Sequence, residues 1–92
     1  MHAVVVSVTI KDQEAAQAML SEQVVPRVKD APGLVNAYWA RSDDGGRGGS
    51  MIVFESEEAA RAVAEQLQSG PPANSDAVTI ESVEVREVVA NL

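Results

Sequence analysis

Residues 3–10, AVVVSVTI, are apolar on both faces of an extended chain, and this limits what the whole sequence can fold into. Side chains alternate along a strand, so Val4, Val6, Val8 and Ile10 share one face and Ala3, Val5, Ser7 and Thr9 the other. The β-branched residues favour a strand here. Residues 50–55, SMIVFE, repeat the condition, again with apolar side chains at both parities. Two strands of this kind belong at the centre of a sheet that is covered on both sides.

The segments between the strands supply one of those covers. After Asp12, a helix N-cap, and Glu14, suited to the positive end of the helix dipole, apolar residues recur at Ala16, Met19, Leu20, Val24 and Val28. That spacing predicts a helix with one stripe turned to a core. Pro26 interrupts it, so a kink near Gln23 to Val25, or a new turn with Pro26 as its first residue, is expected. KDAPG closes the element and LVNAYWAR forms a second strand, with Leu34, Asn36, Tyr38 and Ala40 on one face and Val35, Ala37, Trp39 and Arg41 on the other. Ser56 caps a second helix with a stripe of Ala60, Val63, Ala64 and Leu67, with Glu57 placed to pair with Arg61. Gly70, Pro71 and Pro72 stop it, and a polar loop leads into AVTIESVEVREVVA. In this last strand Val78 and Ile80 share one parity and Val83, Val85 and Val89 the other, so around Glu81 and Ser82 either a β-bulge or a strand that changes what each face touches is expected.

The order is βαβ from about residue 3 to 41 and again from about 50 to 89, one domain spanning residues 1–92. Two such units intercalate as a ferredoxin-like α+β fold, βαββαβ, whose four-stranded antiparallel sheet has the first and third strands central and both helices on one face. The second sheet face then stays open. Because both parities of the central strands are apolar, that face exceeds the few hundred Å² usual for a monomer. A second copy of the chain is expected to bury it, making a homodimer.

Composition excludes several classes of function. No cysteine means no disulfide and no thiolate site, and the single histidine, His2, cannot build a multi-histidine metal site within one chain. A net charge of −7, with no cluster of Lys and Arg, opposes nucleic-acid binding. No apolar run approaches the roughly 18 residues of a membrane span. The start lacks the basic region of a secretory signal, so a cytoplasmic location is expected.

Residues 43–50, DDGGRGGS, hold four of the six glycines. A phosphate-binding glycine loop runs from a strand into a helix, whereas this one joins two strands. Gly46, Gly48 and Met51 also miss the third glycine of a GxGxxG frame, and no GxxxxGK[ST] is present. The glycines are expected to allow positive φ in the hairpin that joins the two halves.

With APGLVNAYWAR, the glycine-rich hairpin and VFESEEAARA in view, the chain resembles the dimeric α/β-barrel superfamily, in particular small bacterial proteins of the antibiotic biosynthesis monooxygenase type. The resemblance implies two sheets closing a barrel between two copies. It also implies a pocket between helices and sheet, in a family that includes cofactor-independent oxygenases of polyphenols, haem-degrading enzymes and ligand-sensing domains. Haem-degrading members carry an iron-ligating histidine on the second helix, and residues 57–69 contain none. Oxygenase members often carry a Trp near the end of the third strand; that stretch here reads Phe54-Glu55-Ser56, and Trp39 lies on the second strand. No catalytic residue carries over by motif, and no cofactor or metal is expected.

Chemically able side chains are densest at Asn36, Tyr38, Trp39 and Arg41. If Leu34 packs under the helices, Asn36 and Tyr38 line the same cavity, while Val35, Trp39 and Arg41 turn to the dimer partner. An Asn amide and a Tyr hydroxyl could then hold a small apolar or aromatic ligand, or stabilise negative charge developing on a phenolic substrate. Equally, Tyr38 could be a core aromatic, Trp39 an interface anchor and Asn36 a satisfied polar group. His2 is either a general base at the mouth of the first strand or an exposed terminal residue. Glu55 is either a buried acid or the last residue of its strand. Two classes of function stay open: a cofactor-independent monooxygenase of a phenolic or polyketide-like molecule, and a binding or structural module.

Overall fold

A computed structural model describes residues 1–69 and 77–92. The elements are β1 (His2–Ile10), α1 (Gln13–Met19), a π-helical turn (Leu20–Val24), α2 (Val25–Lys29), β2 (Leu34–Arg41), β3 (Arg47–Phe54), α3 (Glu57–Ser69) and β4 (Val78–Glu87). The four strands form one antiparallel sheet in the order β2-β3-β1-β4, a ferredoxin-like α+β fold. The two strands that are apolar on both faces are the central pair, as their patterning requires. The helix-stopping Gly70, Pro71 and Pro72 and the polar loop after them lie outside the described residues.

Val4, Val6, Ile52, Phe54, Ala60 and Ala64 form the buried core, with Phe54 and Val4 fully enclosed. It sits between the sheet and α3, whose small Ala60 and Ala64 let helix and sheet approach closely. Ser56 caps α3, its hydroxyl accepting from the Ala59 N–H at 3.2 Å, and Arg61 donates to Glu57 at 3.0 Å. Val63 and Leu67 pack against the same cluster. The expected stripe of this helix is therefore its core face.

The first helical segment behaves differently. Asp12 caps α1, accepting from the Ala15 N–H at 3.0 Å. Ahead of Pro26, the backbone widens into a π turn, and the Val25 N–H donates to the Leu20 carbonyl five residues back. Pro26 has no N–H to offer the regular i−4 ladder, so the turn before it is free to widen. No described residue between Gln13 and Lys29 is buried. Val28 reaches the core cluster, but Ala16, Met19, Leu20 and Val24 face a hollow above the sheet.

Two β-bulges set which side chains face the helices. The expected one lies on β4: Ser7 pairs with Ser82 and Val8 with Ile80, so Glu81 is the extra residue. The Thr9 hydroxyl donates to the Glu81 carboxylate at 3.0 Å, anchoring it there. A second bulge lies at Val35, since Leu34 pairs with Phe54 and Asn36 with Val53. Strand β3 begins at Arg47, before the expected start at residue 50, and so takes Gly48 and Gly49 into the ladder. Among the described glycines only Gly33 and Gly45 have positive φ, at 80° and 74°. They turn the chain into β2 and out of it. No described helix is long and apolar enough to cross a membrane.

Replacing Phe54 by Ala should lower the free energy of unfolding by about 3–5 kcal/mol, the usual cost of emptying a fully buried aromatic site. A urea titration with a shifted midpoint and unchanged slope checks this.

Candidate functional site

A cavity of about 450 Å³ lies between the sheet and the segment Gln13–Ala31, closed at its back by Val63 and Leu67 of α3. Its floor combines Val6, Val8 and Ile10 of β1 with Gly48, Ser50 and Ile52 of β3. Gly48 adds no side chain of its own to the floor, and those of Val8 and Ile10 lie over it. A Cβ there would stand 3.1 Å from Val8 Cγ2 and 3.2 Å from Ile10 Cδ1, tighter than ordinary contact. The glycine segment thus contributes one turn residue, Gly45, and one floor position, Gly48, over which the Val8 and Ile10 side chains close.

Trp39 and Arg41 line this cavity from β2. Asn36 and Tyr38 do not: both are exposed, Tyr38 at 65%. The two pairs exchange places relative to the expectation from sequence, and the cause is the bulge. Leu34 does pack against the core, yet the extra residue Val35 inverts the alternation beyond it. Ala37 and Trp39 therefore join Leu34 on the helix side. Val35 itself is 44% exposed.

The polar part of the lining was missed in the sequence. Gln13, Gln17, Gln23 and Arg27 contribute from the first helical segment and Gln66 from α3. The available signal was the pair of i,i+4 spacings, Gln13 with Gln17 and Gln23 with Arg27, beside the apolar stripe. The chain has 14 acidic residues against 7 basic ones, yet the described cavity lining contains two arginines and no Asp or Glu. Neither Arg27 nor Arg41 takes part in an ion pair among the described residues.

The remaining candidates lie elsewhere. His2 Nε2 stands 3.8 Å from Glu57 Oε2, at the start of α3 and away from the cavity lining. Hydrogen bonding from Arg61, then its charge, holds the Glu57 carboxyl below its ordinary value, with a smaller contribution from His2. Glu55 is exposed just past β3, its N–H donating to the Gly33 carbonyl at 2.8 Å. No group of three or more His, Cys, Asp or Glu among the described residues could hold a metal ion.

The hairpin at the cavity's end is held by a small polar network. Asp44 Oδ1 accepts from the Ser42 hydroxyl at 2.7 Å and from the Gly46 N–H at 2.9 Å. The Gln13 amide lies against Gly45 and donates to the Asp44 carbonyl at 3.4 Å, tying the start of α1 to this turn. A Cβ at Gly45 would collide with that amide.

No family model matches the sequence, and no curated protein matches it. Solved structures do match in fold. SnoaB, a cofactor-independent oxygenase from Streptomyces nogalater, aligns in a mutant form with a TM-score of 0.75 at 17% identity, over 99% of this chain and 95% of that one. A monooxygenase from the gene ActVA-Orf6 of Streptomyces coelicolor, in complex with the ligand Nanaomycin D, aligns at 0.61 and 20% identity, over 99% and 90%. A dimeric ferredoxin-like protein from an uncultured marine organism aligns at 0.62 and 14%, over 100% and 98%. The chain shares with all three the ferredoxin-like fold over nearly its full length.

The hydrogen bond from Gly46, then that from Ser42, lowers the pKa of Asp44 from its ordinary 3.8. The ionised form is thus favoured by folding. Its contribution to the hairpin is present above the unfolded value and is lost as pH falls through the lower, folded value. The Gly46 amide resonance should therefore titrate with a midpoint below 3.8, and Asp44→Asn should abolish that transition.

Proposed function

We propose that the protein is a homodimer of the antibiotic biosynthesis monooxygenase type, and that each subunit binds a planar phenolic or polyketide-like molecule in the hollow beneath its first helix. The observation that carries this reading is the hollow itself. Its volume falls within the range of small-molecule sites, its walls are largely apolar, and Trp39 offers a flat aromatic face. The apolar body of a ligand would displace water from Val8, Ile10 and Leu20, while the glutamines and arginines meet its polar edge.

A second reading, oxygenation of that molecule, is favoured by two structures of this fold, one of a cofactor-independent oxygenase and one of a monooxygenase. The balanced reaction converts a ring methylene and dioxygen into a ring carbonyl and water: two C–H bonds break, and dioxygen is both oxidant and oxygen source. Arg41 would favour the ionised phenol from which electrons leave. The described lining has no His, Asp, Glu or Tyr to take a proton at neutral pH, so the phenol would enter already ionised or lose its proton to water.

The dimer reading rests on the opposite sheet face. Tyr38 and Met51, the latter 47% exposed, are cross-strand partners there, with Val35 exposed nearby. A second copy packed on this face would bury them, and a solved structure of the same fold is described as dimeric.

Trp39 is the chain's one tryptophan, so its fluorescence reports on the hollow. Titration with 1,8-dihydroxyanthrone should quench it saturably, and Ala16→Phe, which fills the hollow from the helix side, should weaken binding at least tenfold. Absence of saturable quenching overturns the binding reading. Oxygen uptake above a protein-free blank with the same compound separates oxygenation from binding alone.

Sedimentation at micromolar concentration should give a dimer for the parent chain and a monomer for Met51→Glu, which places a charge on the open face. A parent chain that sediments as a stable monomer overturns the dimer.

A further inference from the structure

We infer that the hollow is built for an anion, specifically an aromatic carboxylate whose ring lies against Trp39 and whose acid group meets Arg41. The inference rests on the binding role proposed above and names the class of ligand.

Three observations carry it. The first is charge. The chain carries −7, yet the described lining of the hollow contains only positive charges, Arg27 and Arg41. Other cations near acids are already engaged: Arg61 pairs with Glu57, and Arg86 with Glu84. The two arginines of the hollow have no such partner among the described residues. A planar guanidinium matches a carboxylate through two parallel N–H donors, so this unmet capacity is specific in shape as well as in sign.

The second is position. Trp39 and Arg41 are two residues apart on one face of β2, about 7 Å along the strand. That step matches the reach from the middle of a fused aromatic ring to its carboxylate. Arg27 stands about 20 Å further along the helical wall from Gln13, which is tied to the hairpin end near Arg41, so it adds to the field without sharing the acid group.

The third is the floor. Arg41 pairs across the ladder with Gly48, and Trp39 with Ser50. The β3 partner of Arg41 has no side chain and that of Trp39 only a small hydroxyl, so β3 itself adds nothing bulky beside either residue, the tips of Val8 and Ile10 lying over Gly48. Gln13, at the same end, supplies an amide for the remaining carboxylate lone pairs.

The test compares 2-naphthoate with 2-naphthamide, which has the same shape and no charge. Binding is followed through the single indole N–H signal of Trp39 in NMR spectra. Naphthoate should bind at least tenfold more tightly at low ionic strength, and the ratio should narrow as salt is added. In Arg41→Gln the ratio should fall to about twofold or less, chiefly through weaker naphthoate binding. Arg27→Gln should reduce the ratio by a smaller factor. The backbone amide spectrum of each variant establishes that it is folded. Equal affinity of the parent chain for both probes overturns the anion inference and leaves the binding role standing; failure of both probes to bind overturns the two together.

Discussion

The architecture depends on the demand of β1 and β3 to be covered twice. A strand with Val, Ile, Met or Phe at both parities gains from apolar burial on each face, at about 25 cal/mol per Å² removed from water. One helical layer meets half of that demand. Val4 and Phe54 are fully buried on the helix side and Val6 and Ile52 nearly so, whereas Met51 on the other side is left nearly half exposed. The fold is thus asymmetric by construction, with a packed side that gives the subunit its stability and an opposite side where Val35, Tyr38 and Met51 stay exposed beside polar residues of β4.

The helical layer is itself divided. The alanines Ala60 and Ala64 bring α3 down onto the sheet, while the first helix stands off from it. Two local features accompany that separation. A π turn ahead of Pro26 widens the helix, and glycine at position 48 lets the side chains of Val8 and Ile10 lie down on the floor beneath. An apolar stripe without a close-packed partner would ordinarily be a weakness of packing. Here it forms the wall of the cavity, and the polar residues beside the stripe become the cavity's rim.

Much of this was legible in the chain. The strand order, the caps at Asp12 and Ser56 and the bulge at Glu81 follow from alternation, side-chain oxygens at helix starts and a visible slip in parity. Two things were not legible. An apolar stripe at helical spacing reads the same whether it faces a filled core or a hollow, so the hollow left no mark on the first helix. The bulge at Val35 also had no signal, because valine fits a regular strand as readily as a bulged one and no glycine flags the extra residue. That one residue decided which half of NAYWAR was assigned to the cavity.

The bulge has a consequence for how the chain tolerates changes in length. Strand β2 is two reading frames joined at Val35, one counted from the turn at Gly33 and the other from the turn at Gly45. The segment from Ala37 to Arg41 takes its orientation from the hairpin, where cross-strand pairing fixes it residue by residue. Loss of the single extra residue at Val35 would restore unbroken alternation with Leu34 still on the helix side, and the lining of the hollow would keep its composition. The chemistry of the cavity is insulated from drift in the connection that precedes it.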